Sequence, residues 1–189
     1  GVSSVLDYSV EGKEEEAQFD AALNMTLKTI EFAREREAIP FAVFKPTGFG
    51  RLALYEKVGD KAHLTENEQK EWNRVIERFD IACKTAFEKD VLLLIDAEES
   101  WMQDAADAIV TDMMRKYNKQ KAIVFNTLQM YRWDRLDYLK NLHEQAKAEG
   151  FYIGMKLVRG AYMEKENERA AERGQKSPIC VSKEATDIN

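Results

Sequence analysis

At 189 residues, 44% hydrophobic and with only three prolines, the chain can form one packed domain and is too apolar for a disordered segment. Its formal net charge of −6, with basic residues interleaved among a larger number of acids, argues against a nucleic-acid partner, which needs clustered Lys and Arg. Two distant cysteines exclude a disulfide framework, and no apolar run approaches the ~20 residues of a bilayer span.

In chain order, SVLDYSV (4–10) is a first strand, weakened by its polar content. Phe19, Leu23, Leu27, Ile30 and Ala33 recur at helical spacing and mark a helix closed by Pro40. FAVFK (41–45) is apolar on both faces, as a parallel strand covered by helices must be. A long insertion, PTGFGRLALYEKVGDKAHLTEN (46–67), follows it. Thr65 with Glu68 is a capping box for a helix whose stripe is Trp72, Val75, Ile76, Phe79, Ala82, Cys83, Ala86 and Phe87. VLLLID (91–96) is the next strand. Ser100 and Gln103 read as the cap of a helix striped by Trp101, Ala105, Ala108, Ile109 and Met113. AIVFNT (122–127) is a strand, Leu136, Leu139, Leu142 and Ala146 a helix stopped by Gly150, and YIGMKLV (152–158) the fifth strand. Ser182 opens one more helix.

This alternation means a parallel α/β sheet with right-handed crossovers, either an open doubly wound sheet or part of a barrel. In both, the carboxyl ends of the strands open on one face and carry the chemistry. Those ends read Lys45, Asp96, Asn126 and Lys156, two cations, an anion and an amide predicted to share one mouth. Ser100 is a better helix cap than Asp96, which frees the aspartate for the site. His63 and His143 lack a partner at metal-ligand spacing, so no metal site is expected. TGFGR lacks the spacing of a phosphate loop and reads as a flexible βα loop, while EGKEEE (11–16) reads as a solvated approach to the first helix.

Taken together, FAVFKPTGFGR, LLLIDAEES, IVFNTLQMY and MKLVRGAYMEKE, in this order and spacing, resemble proline dehydrogenase, the flavin enzyme that oxidises L-proline to 1-pyrroline-5-carboxylate. LDYSVEG (6–12) resembles the family's first barrel strand, so the resemblance covers essentially the whole chain. It implies a distorted β/α (TIM-like) barrel with FAD at its C-terminal face. It places Lys45 on the substrate carboxylate, with Asp96, Ala161 and Tyr162 lining the substrate pocket. Asn126 takes the position whose amide reaches the flavin, where bacterial relatives often carry Gln. Lys156 takes that of a basic residue near the flavin N5, where many members have Arg, and Val158, Arg159 and Gly160 run along the cofactor. Lys45, Asp96 and Lys156 are then the catalytic candidates. A quinone acceptor, peripheral membrane contact, and a cytoplasmic (bacterial) or mitochondrial (eukaryotic) location follow from the same resemblance.

A complete barrel of this family has eight strands, and five are expected here, so residues 1–189 read as a single catalytic-domain portion whose C-terminal strands are missing. The absence of an initiator Met and the ending KEATDIN read the same way. The family's last strands and final helix supply FAD adenine and pyrophosphate contacts and paired arginines for the substrate carboxylate. These 189 residues alone are therefore expected to bind FAD weakly and turn over poorly. Two alternatives stand beside this reading: a Schiff-base aldolase using Lys156 or Lys45, and a noncatalytic partial-barrel module.

Overall fold

The apolar runs pair side by side because strands buried on both faces can satisfy their backbone only with one another. In the computed structural model, which describes residues 2–7 and 14–189, they form one five-stranded parallel sheet. Its strands are β1 (Leu6–Asp7), β2 (Phe41–Phe44), β3 (Leu92–Ile95), β4 (Val124–Gln129) and β5 (Met155–Val158). The order is β1-β2-β3-β4-β5. A doubly wound sheet reverses direction at a switch point, whereas a barrel adds each strand beside the last. The monotonic order therefore selects the barrel branch, in an open five-stranded form. Residues 8–10 of the first predicted strand, most of the LDYSVEG match and part of EGKEEE lie outside the described residues.

The helices are α1 (Glu16–Arg34), α2 (Leu52–Gly59), α3 (Glu66–Lys89), α4 (Ser100–Tyr117), α5 (Arg135–Glu149), α6 (Met163–Glu172) and α7 (Lys183–Ile188). Thr65 Oγ1 accepts from the Glu68 amide, and Glu68 reaches back to the Thr65 amide at 2.8 Å, so the predicted capping box opens α3. Gly150, at φ +70°, ends α5 in the left-handed conformation that glycine adopts without a Cβ penalty. The α3 stripe is narrower than predicted: Phe87 and Ile76 are 47% and 37% exposed.

Two expectations need correction. Ser100 is the first helical residue of α4, not its cap; the N-cap is Glu99, which makes no side-chain cap bond. The segment after β2 is not a flexible loop. Pro46–Gly48 form a 3-10 turn and Phe49 is fully buried, stacked on Phe44 at 4.3 Å and edge-on to Phe79 at 5.5 Å. Phe49 anchors the turn, and Gly50 lets it approach α3, where a Cβ would stand 2.5 Å from Val75 Cγ2. Arg78, 4% exposed, donates to the Phe49 carbonyl at 3.1 Å and to Asp20 at 2.8 Å, pinning this turn and α1 onto α3. The main core lies between the sheet and the helices, built from Ala42, Phe44, Leu93, Ile95 and Val124 on the strands against α1, α3 and α4.

Candidate active site

Register decides which strand residues share a face, since successive side chains alternate. Val43 pairs with Leu94 and Leu94 with Phe125, and this row turns away from the helix layer. Two residues further along each strand come Lys45, Asp96 and Thr127, and Thr127 is the ladder partner of Lys156. The Asp96 amide donates to the Phe44 carbonyl at 3.0 Å, carrying the β2–β3 register to this level. One layer at the carboxyl ends of β2 to β5 thus carries Lys45, Asp96, Thr127 and Lys156. Lys156 Nζ donates to Asp96 Oδ1, an ion pair reaching across β4. Both side chains are partly exposed, at 34% and 22%. Below this layer Phe125 meets Phe41 edge-on at 5.2 Å. Gly154 makes room for it: a Cβ there would stand 2.8 Å from the Phe125 ring and from the Val124 carbonyl.

Asn126 is not in this mouth. It pairs with Met155 in the row facing the helices, is 1% exposed, and its Nδ2 donates to Asp107 Oδ1 of α4 at 2.8 Å. Asp107 also accepts from Gln103 Nε2 at 2.8 Å and Arg135 Nη1 at 2.7 Å. Burial pushes the Asp107 carboxyl up against the pull of Arg135. Asn126 lies between Phe125 and Thr127, which face the mouth, so alternation along β4 turns it to the helices. The polar groups that β4 does turn to the concave side are Thr127, whose Oγ1 donates to the Ile95 carbonyl at 2.9 Å, and Gln129, whose Nε2 donates to the Glu98 carbonyl at 2.7 Å. Counting alternate residues from Phe125 would have found both.

Glu98, which the sequence reading did not single out, is 2% exposed just beyond β3. Thr47 holds it, through its amide at 2.9 Å and its hydroxyl at 2.6 Å. Burial outweighs these bonds and raises its pKa to about 7, the neighbouring Glu99 adding to the rise and Lys45 opposing it. A buried carboxyl two residues from Asp96 thereby ties the end of β3 to the turn after Lys45.

Beyond β5, Val158 is half-buried as the partner of Gln129. Arg159 does not enter the mouth; it is 63% exposed and pairs with Asp187 of α7. Gly160 and Ala161 are exposed, and Tyr162 is half-buried as the N-cap of α6 at φ +55°. Together with Met163, Glu164 and Lys165 these three residues line an open cavity of about 450 Å³. The structure therefore brings together Lys45, Asp96 and Lys156, sets Val158 and the 160–162 turn beyond them, and withdraws Asn126 and Arg159. As a chemical arrangement, it offers cations for an anionic group on a concave wall that also carries Asp96, Thr127 and Gln129.

The proline dehydrogenase family model matches residues 1–189. The carbapenem antibiotics biosynthesis protein CarD of Pectobacterium carotovorum subsp. carotovorum is 39% identical over 166 residues, covering 88% of this chain and 44% of that protein. Human mitochondrial proline dehydrogenase 1 is 40% identical over 126 residues, 67% of this chain and 21% of the human protein. Among solved structures, proline utilization A (PutA) from Bdellovibrio bacteriovorus, inactivated by N-propargylglycine, superposes with a TM-score of 0.80 over 98% of this chain and 20% of PutA, at 18% identity. That likeness concerns the fold. The chain spans less than half the length of each of these relatives.

Proposed function

The chain belongs to the proline dehydrogenase family, and from that premise we propose that the intact protein oxidises L-proline to 1-pyrroline-5-carboxylate with FAD as its flavin and a quinone as electron acceptor. The observation that carries this reading is the Lys156–Asp96 ion pair in one layer with Lys45 at the carboxyl ends of parallel strands. In this reading three further strands, outside residues 1–189, complete the barrel. β5 supports this, because Leu157 on its helix-side face is 64% exposed where a closed barrel would cover it.

The residues present fit a flavin. An isoalloxazine needs a flat wall and positive charge near its reducible edge. Val158 and Lys156 stand two residues apart on the concave side of β5, and Gly154 keeps that strand close against Phe125. When bound, FAD accepts the hydride that leaves C5 of proline. Lys156, fixed by Asp96, keeps a cation where negative charge develops, which lowers the barrier because no reorganisation is needed. Lys45 receives the substrate carboxylate, and Ala161 with Tyr162 closes the pocket over the pyrrolidine ring. Asn126 acts on the cofactor only through the backbone of β4.

The aldolase alternative needs Lys156 or Lys45 as a neutral amine nucleophile; the ion pair of Lys156 with Asp96 counts against that lysine. The test is anaerobic addition of L-proline to the full-length protein loaded with FAD. Bleaching of the oxidised flavin band is expected. An unbleached spectrum, with a lysine trapped by borohydride and a carbonyl substrate, would replace this function with the aldolase.

A further inference from the structure

The helix α4 begins without a cap of its own, since Glu99 makes no side-chain bond to it. Another helix supplies one. Glu166 of α6, 3% exposed, accepts from the Ser100 amide at 2.6 Å and from Ser100 Oγ at 2.6 Å. A carboxylate there also meets the positive end of the helix macrodipole. The flanking residues close on the same place: Lys165 donates to Glu99, the Arg169 guanidinium stacks 4.2 Å over Trp101, and Arg169 and Arg173 pair with Glu56 of α2.

These polar contacts set the position of α6, for the helix has hardly any apolar anchor. Of its ten residues only Glu166 and Ala170 are buried. At its head Tyr162 is held at φ +55°, a region that side chains with a Cβ avoid unless the surroundings impose it. The α6 contacts follow directly after this residue in the chain.

We propose that Glu166 is a positioning residue for the substrate pocket: by capping α4 from α6 it locks the Ala161–Tyr162 turn to the β3–α4 connection that carries Asp96. The inference rests on the reading that Ala161 and Tyr162 line the pocket. Its mechanism is a shared cap. Releasing α6 leaves the first amide of α4 unpaired, and disordering the start of α4 removes the docking point of α6, so the two segments order together.

The experiment uses the full-length FAD-loaded protein and the variants Glu166→Ala, Glu166→Gln, Ser100→Ala and the double alanine variant. In Glu166→Ala, KM for L-proline rises about tenfold while kcat changes by less than about threefold, the scale of one charge-assisted bond. Glu166→Gln restores a near-normal KM, because its amide oxygen accepts from the Ser100 amide while its nitrogen donates to Ser100 Oγ. The double variant is no worse than Glu166→Ala, because both changes break one interaction. Hydrogen exchange gives a readout independent of turnover: in Glu166→Ala, or in Ser100→Ala should the former not fold, amides of α6 and of the first turn of α4 lose protection together. An unchanged KM, additive effects, no recovery in Glu166→Gln, or protection lost in only one helix overturns the proposal. Wild-type flavin that L-proline does not bleach sinks the proline reading instead, and the exchange result then judges the clamp.

Discussion

Glu98 gives the sharpest quantitative test of the site's electrostatics. Its pKa rises from 4.5 to about 7, chiefly through burial, with the side chain 2% exposed. The folded protein therefore holds a proton on Glu98 between those pH values that the unfolded chain has released. Stability depends on pH through the difference in bound protons, so this contribution is fully present below pH 4.5 and is lost as pH rises through 7. A shift of about 2.5 units at about 1.4 kcal/mol each makes the loss about 3 kcal/mol. Glu98→Gln removes the titration while keeping both bonds, since an amide oxygen accepts from the Thr47 amide and an amide nitrogen donates to Thr47 Oγ1. Urea unfolding of wild type and variant at pH 4.5, 6 and 8 isolates the group, because every other titration is common to both. The variant should gain about 3 kcal/mol over wild type between the two extremes. Parallel pH curves would refute the assignment of a neutral Glu98.

The mouth and the helix layer should separate experimentally. Lys156→Met is expected to slow flavin reduction by L-proline by about 10²–10³-fold in stopped-flow absorbance, and an unchanged rate would remove Lys156 from the chemistry. Asp107→Ala leaves Arg135, 6% exposed, short of one of its carboxylates and should cost about 3 kcal/mol in urea unfolding. Because Asp107 and Asn126 lie behind the sheet, that variant should retain the flavin spectrum and KM of wild type; a spectral shift would put Asn126 back at the cofactor. Gly154→Ala forces a methyl to within 2.8 Å of the Phe125 ring and of the Val124 carbonyl. Phe125 is braced by Phe41 at 5.2 Å, so the substitution should lower stability by about 1–3 kcal/mol, read as a fall in Tm together with weaker FAD retention.

The strands could be read from the sequence because a run such as VLLLID, buried on both faces, has few other uses in a soluble chain. The barrel could not be read from that pattern alone: strand order is a property of crossovers, and equal βα spacing suits an open sheet as well as a closed one. Parity was readable in principle: matching VLLLID to AIVFNT by their polar residues sets Asp96 level with Asn126, whereas the register sets it level with Thr127, and a slip of one residue puts Asn126 behind the sheet. Ser100 misled for a different reason. A serine before an apolar stripe has the composition of an N-cap, but the partner that satisfies α4 is Glu166, 66 residues away, and no local pattern encodes that. Arg159 shows the same limit, its charge being taken by Asp187 of α7.

The segment from Asp96 to Ser100 then has a physical explanation that chemistry alone does not supply. Three acids and a serine in five residues would be costly beside an apolar strand unless each found a partner, since an unpaired buried charge or donor is destabilising. Each partner comes from elsewhere in the fold: Lys156 on β5 for Asp96, Thr47 after β2 for Glu98, Lys165 on α6 for Glu99 and Glu166 on α6 for Ser100. Between them these bonds tie the turn after β2 and the helix after β5 to the connection after β3, while the Lys156–Asp96 pair joins the strand ends themselves. The segment therefore acts as a junction at which these elements meet, each contact supporting its neighbours. Lys45, two residues before Thr47, and Tyr162, four before Glu166, flank these contacts, so loosening the junction should reach the proposed substrate pocket from both sides.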